Sequence, residues 1–174
     1  MYEYRVLIPK ERVGVLVGEE GKIKRLIEKK TNTSLVLHEE EVIIMGEDSY
    51  TAWLCEQVVK AIGRGFNPRI AINLIKEGYA FEVMNIMDYA RNQNDKFRLK
   101  SRVIGQGGLV RQRLEQDTNC RIIVFGKTIG VIGPGSEIRT ALEAIEMLLK
   151  GAQVKTVYKF LEKASKKKLK KELV

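Results

Sequence analysis

An α+β chain in which one strand–helix–helix–strand–strand–helix unit is written twice is the fold that this sequence predicts. Two observations predict it. The stretch Val17-Gly18-Glu19-Glu20-Gly21 returns as Ile104-Gly105-Gln106-Gly107-Gly108, and the landmarks that follow recur at the same displacement of 87 residues without a gap. Glu28 falls on Glu115, Thr31-Asn32 on Thr118-Asn119, Leu35-Val36-Leu37 on Ile122-Ile123-Val124, and Gly46 on Gly133; a chance tetrapeptide would not carry its neighbours with it. The hydrophobic period also switches between that of a strand and that of a helix in the same order in both copies. A unit of this length can just bury its own core, so the 174 residues are expected to form two small domains. Residues 1–65 are assigned to the first, 66–152 to the second with a linker helix over 67–77, and 153–174 to a basic helical extension.

Residues 4–8 form a short strand, and Pro9 opens a helix that runs through Val17 and breaks at Gly18. Beyond Gly21, Ile23, Leu26 and Ile27 recur at helical spacing up to Thr31, with Lys22, Lys24, Arg25, Lys29 and Lys30 on the other face. Leu35-Val36-Leu37 and Val42-Ile43-Ile44-Met45 are strands joined by Glu39-Glu40-Glu41, with His38 ending the first. Asp48 or Ser49 then caps a helix to Gly63 whose stripe is Ala52, Leu54, Val58, Val59 and Ile62, with Trp53 expected in the core. Asn67-Pro68 caps the linker helix, which carries Ile70, Ala71, Leu74 and Ile75 and stops at Gly78. Residues 81–86 alternate as the first strand of the second unit, after which 87–100 run longer than their counterpart. A helix ends at Ile104-Gly105, Val110 and Leu114 anchor the next, and residues 122–125 and 128–132 make a hairpin around Gly126-Lys127. Ile138, Leu142, Ile145 and Leu148-Leu149 stripe the closing helix from Ser136. Residues 155–171 continue as a Lys-rich helix with Val154, Val157, Tyr158 and Leu161 as an apolar strip.

With 44% hydrophobic and 30% charged residues and three prolines, the composition is that of a globular protein. No run is apolar enough for a bilayer span or a signal peptide, so a cytoplasmic protein without membrane contact is expected. Cys55 and Cys120 lack metal-type spacing and sit in apolar segments, as reduced core thiols do, and the single His38 has no companion ligand. No P-loop, nucleophile–base pair or carboxylate pair is present, so neither an enzyme, a cofactor, a metal nor a small-molecule substrate is expected. The net charge of +9 is unevenly spread: −1 over residues 1–65, +4 over 66–152 and +6 over 153–174. A polyanion is therefore drawn to the second unit and the tail.

A Gly-x-x-Gly turn between two helices lets a sugar-phosphate backbone come close, because glycine has no β-carbon to collide with it. The following helix starts at the turn, so its unpaired N–H groups and dipole favour phosphate there. About four nucleotides fit the groove beside such a turn. In the second copy Val103, Ile104, Val110 and Ile123 are expected as its floor, with Gly105, Gln106, Gly107 and Gly108 at the turn and Lys100, Arg102, Arg111, Arg121 and Lys127 as phosphate or base contacts. In the first copy the corresponding set is Gly18 and Gly21 with Lys10, Arg12, Lys22, Lys24 and Arg25.

These two turns, together with Gly65-Phe66, Ala71, Leu74, Ile75, Leu114-Glu115, Thr118-Asn119-Cys120, Gly126-Lys127-Thr128 and Ile132-Gly133-Pro134, resemble the KH family in its type I order. More narrowly they resemble the archaeal counterparts of the KH proteins that assemble the small ribosomal subunit. The resemblance covers most of the chain to about residue 152. It implies two type I KH domains (βααββα) in tandem, each a three-stranded antiparallel sheet packed with helices. It also implies binding of single-stranded small-subunit ribosomal RNA near its 3′ end, by a non-enzymatic adaptor that meets ribosome assembly, processing or translation factors. One departure matters: neither turn has the basic residue usual in the family, and Glu19-Glu20 set two carboxylates where phosphate would sit. At a helix N-terminus such acids are favourable by about 0.3–1 kcal/mol each, so the second turn is expected to be the stronger RNA site. The alternative is a scaffold in which degenerate KH repeats dock a protein through the acidic first turn.

Overall fold

Side chains at the helix ends decide where each element stops, and they do so alike in both halves. In the first unit, Met1–Phe81, the order is β1 (Tyr2–Leu7), α1 (Lys10–Val17), α2 (Lys22–Thr31), β2 (Thr33–His38), β3 (Glu41–Gly46) and α3 (Ser49–Gly63). The computed structural model describes residues 1–172, with side chains for 1–171. Helix α2 ends because Asn32 takes the left-handed backbone (φ 51°, ψ 46°), while the Thr31 hydroxyl donates back to the Ile27 carbonyl at 2.8 Å. Its counterpart α6 (Leu109–Thr118) ends on Asn119 (φ 53°, ψ 26°), with Thr118 donating to the Leu114 carbonyl at 2.7 Å. At the start of α3, the Asp48 carboxylate accepts from the Thr51 N–H at 2.8 Å.

The first sheet is ordered β1-β3-β2 and antiparallel throughout, with Leu35 opposite Ile44. Period two puts Val6, Leu35, Val42 and Ile44 on one face, where they are buried with Leu16 and Ile27 of α1 and α2 and Val58 and Ile62 of α3. The second unit, Glu82–Val174, repeats this with β4 (Tyr79–Asn85, which straddles the boundary), α5 (Gln93–Ile104), α6, β5 (Arg121–Phe125), β6 (Thr128–Pro134) and α7 (Gly135–Leu149). Its antiparallel sheet is ordered β4-β6-β5, and Ile122 lies opposite Val131, which is the register of the first sheet displaced by the repeat. A shared strut braces each edge strand. The Glu28 carboxylate accepts from the Leu35 N–H at 2.8 Å, and Glu115 accepts from the Ile122 N–H at 2.8 Å. The extra length between β4 and α5 is one 3₁₀ turn, Ile86–Asp88, and a cap in which Asn92 accepts from the Asp95 N–H at 2.9 Å.

Two expectations change, and a third gains its packing partners. The linker segment is α4 (Pro68–Ala71) continued by a 3₁₀ turn, Ile72–Ile75. It packs on α3 with Ala71 and Leu74 buried, so it groups with the first unit rather than the second. Trp53 is not core: one residue past Ala52 it is turned outward, 43% exposed, and stacks on Tyr50 with ring centroids 6.0 Å apart. The C-terminal extension is an integral helix, α8 (Val154–Glu172), packed on α6 and α7 with Val157 and Leu161 buried. Arg113 of α6 clamps it. Its guanidinium lies 5.1 Å over the Tyr158 ring, bonds Asp117 at 2.6 Å and faces Glu162 at 3.6 Å. Cys55 and Cys120 are free and buried, and burial pushes both thiols above their ordinary pKa, which leaves them unreactive. Among the described residues no helix is long and apolar enough to cross a membrane.

Candidate nucleic-acid interface

Helices α5 and α6 meet at a corner whose backbone is set by three glycines. Gly105 (φ 74°, ψ 173°) ends α5, and Gly107 (φ 59°, ψ 18°) and Gly108 (φ 79°, ψ 11°) turn the chain into α6. The outer glycines differ in what they face. A β-carbon on Gly105 would lie 2.4 Å from Val110 Cγ2 and 2.8 Å from the Val110 backbone nitrogen, so this position holds the two helices together. A β-carbon on Gly108 would meet nothing within 4 Å. The open side is thus the α6 side, where the unpaired N–H groups of that helix emerge. Gln106 and Gly107 are exposed and neutral.

The first corner has the same backbone and a different surface. Gly18 (φ 71°, ψ 175°) and Gly21 (φ 74°, ψ 15°) match their counterparts, and the left-handed position is filled by Glu20 (φ 51°, ψ 27°). Glu19 and Glu20 are 85% and 78% exposed, and Lys22 lies 3.8 and 3.6 Å from them. Arg25 covers the other side, with Nη1 3.1 Å from where a Gly21 β-carbon would sit. The first corner therefore carries its own counter-charges, and a phosphate would have to displace them. Lys24 is likewise engaged, 3.0 Å from Glu28. Lys10 is exposed on the first turn of α1.

Two of the expected contacts are engaged within the fold. Arg12 donates to the carbonyls of Ile62 at 2.8 Å and Phe66 at 2.7 Å, and its burial lowers its pKa from the ordinary arginine value. Arg102 donates to Leu148 at 2.9 Å and also to the Ala152 carbonyl. Each bonds one carbonyl in the last turn of its unit's closing helix and one just beyond it, where a guanidinium is favoured by the helix dipole. Replacing Arg102 by Met is expected to cost about 1–3 kcal/mol of stability through the two lost hydrogen bonds to the Leu148 and Ala152 carbonyls while leaving RNA affinity unchanged. Urea unfolding and filter binding on the same protein check this; unchanged stability with weakened binding would return Arg102 to the RNA surface.

The remaining expected residues lie on α5, α6, β5 and the β5–β6 turn of the second unit. Strand β5 is an edge strand that packs against α6; Arg111 of α6 reaches the Ile122 carbonyl at a long 3.5 Å, and the exposed Arg121 lies 3.9 Å from Glu115. Lys100 is half-buried on α5, and Lys127 is exposed at the β5–β6 turn. The apolar floor narrows to Ile104 and Ile123, which are partly accessible, because Val103 and Val110 belong to the core. Sequence reasoning missed Phe97 and Leu109, which are 73% and 64% exposed. Leu109 follows the corner directly, and Phe97 precedes Ile104 by two helical turns on α5, a spacing that could have flagged it.

Known proteins share this arrangement. Residues 80–166 match the eukaryotic-type KH domain (KH-domain type I) in the form of the second PNO1 domain, and residues 3–61 match the general KH domain. A KH domain-containing protein of Methanocaldococcus jannaschii is 42% identical over 92% of this chain and 73% of its own length. The pre-rRNA-processing protein pno1 of Schizosaccharomyces pombe is 29% identical over 62% of this chain, which spans 45% of it. Among solved structures, Dim2p of Pyrococcus horikoshii superposes with a TM-score of 0.88 at 37% identity, covering 94% of this chain and 99% of the other. The structure of the a/eIF2alpha–aDim2p–rRNA complex from the same organism matches with a TM-score of 0.90, also at 37% identity, over 95% of each chain. With two antiparallel three-stranded sheets, paired Gly-x-x-Gly corners and matches that run through both halves, the chain belongs to the KH-domain family as a tandem type I protein of the Dim2/PNO1 kind.

Proposed function

We propose that this chain holds single-stranded ribosomal RNA, close to the 3′ end of the small-subunit transcript, through its second KH domain. It does so as a non-enzymatic adaptor for assembly and processing. The single observation that carries the reading is the contrast between the corners: the second is neutral, open at Gly108 and set in a segment of net charge +4, whereas the first is filled by its own acids and bases. The presence of rRNA beside aDim2p in the P. horikoshii complex supports it. The open corner seats the phosphates, Ile104 and Ile123 receive base faces, and Arg111, Arg121, Lys100 and Lys127 contact phosphates or base edges.

The first domain has a second role in this reading, the docking of a protein factor of assembly, processing or translation. Two exposed carboxylates at its corner favour a basic protein surface over RNA, and a/eIF2alpha shares the P. horikoshii complex.

Filter binding of an unpaired oligonucleotide with the sequence of the small-subunit 3′ end, against a scrambled strand at the same salt, tests the assignment. A preference of tenfold or more is expected. Equal affinities at physiological salt would reduce the chain to a non-specific polyanion binder.

A further inference from the structure

Helix α8 carries a row of lysines that the KH groove does not use. At about 100° per residue, Lys155, Lys159, Lys163, Lys166, Lys167 and Lys170 fall within an arc of about 120°, opposite the face that buries Val157 and Leu161. All six are exposed, and none has an ion-pair partner among the described residues. Lys168 lies off this arc and pairs with Glu137 of α7. The one carboxylate along the described stretch of the row, Glu162, is turned to Arg113. The row spans about 22 Å at 1.5 Å per residue, and one flank continues into a cleft of about 930 Å³ that adds Arg139 of α7. Helix α8 packs on α6 around Arg113 and on α7 at Glu137, so the lysines belong to the same domain as the open corner at the start of α6.

We infer that this face of α8 is a phosphate rail for double-stranded RNA, engaging the helix that adjoins the single strand held in the groove; the inference rests on the RNA reading of the second domain. The choice of duplex follows from what the face lacks. Binding a single strand without sequence preference uses aromatic platforms on which bases stack. Along α8 Tyr158 lies beneath the Arg113 guanidinium and Phe160 is half-buried toward the α6–α7 cleft, so the exposed arc offers charge alone. Charge without stacking suits an A-form helix, whose bases are hidden and whose phosphates are presented outward. The row thus makes the protein respond to a junction: an unpaired strand in the groove and a duplex along α8.

The test compares two RNAs with the full chain, a hairpin bearing a 3′ single-stranded arm and the same arm alone, each titrated across salt. In a variant with the six lysines changed to Gln, hairpin-plus-arm affinity is expected to fall at least tenfold. Its log–log salt slope should drop by close to 0.9 for each lost phosphate contact, and affinity for the arm alone should change less than threefold. The matching Lys→Arg variant keeps the charge and should restore hairpin binding, which removes misfolding as an explanation. An equal loss on both RNAs, or no loss on the hairpin, overturns the rail. A failure of the groove reading looks different: Gly108→Asp would then leave arm affinity unchanged whatever the lysine variants do.

Discussion

Gly108→Asp weakens binding of an unpaired RNA strand by about 10- to 100-fold and leaves the second domain folded. The magnitude follows from setting a carboxylate against a phosphate, a like-charge juxtaposition that costs on the order of 1.4–3 kcal/mol. The fold tolerates the change because a β-carbon at Gly108 meets nothing within 4 Å. Asp is also among the few residues that accept a left-handed backbone such as φ 79°. Gly108→Asn supplies the control, with the same shape and backbone tolerance and no charge, and a loss of less than threefold is expected. The corresponding Gly21→Asp should change affinity less than threefold, since that corner already carries Glu19 and Glu20 and the new carboxylate would find Arg25 beside it. Filter binding at fixed salt with the three variants decides the matter; a larger loss from Gly21→Asp than from Gly108→Asp would move the RNA site to the first domain.

The sequence made the architecture readable because most repeat landmarks are structural necessities. Thr31-Asn32 and Thr118-Asn119 recur because each pair ends a helix with the same hydroxyl-to-carbonyl bond and the same left-handed asparagine. Glu28 and Glu115 recur because each braces an edge strand. Gly133 recurs because a β-carbon there would lie 2.4 Å from Cys120 Sγ. Charge was less informative than position. Arg12 and Arg102 look like RNA contacts in a list of basic residues, but only a folded chain places the carbonyls of a closing helix within their reach. Trp53 shows the corresponding limit for apolar residues: its type suits a core, and a step of one residue from Ala52 puts it outside. The linker helix defeats a period argument for another reason. Its stripe of Ala71 and Leu74 says that something covers it, and nothing local says that the cover is α3 of the preceding unit.

Gly105→Ala is expected to destabilise the second domain by about 3–5 kcal/mol, the sum of overpacking and backbone strain, out of the 5–15 kcal/mol that a domain has to lose. Both terms come from one atom. The added methyl would sit 2.4 Å from Val110 Cγ2, 2.8 Å from Val110 Cβ and 2.8 Å from the Val110 backbone nitrogen, and the last of these cannot swing aside as a side chain could. The backbone itself, at φ 74° and ψ 173°, lies in a region that only glycine occupies without strain. Relief would require α5 and α6 to separate, which opens the core at Val103, Val110 and Leu114. Thermal unfolding followed by hydrogen exchange should show protection lost across residues 82–172 and kept in the first domain. A melting temperature within one or two degrees of the parent protein would mean that the corner does not bring the helices this close. The two outer glycines thus separate folding from binding: Gly105 keeps the helices in contact and Gly108 keeps the door clear for phosphate. A paired substitution of both would abolish RNA binding for the wrong reason, and only the single change at Gly108 reports on the strand in the groove.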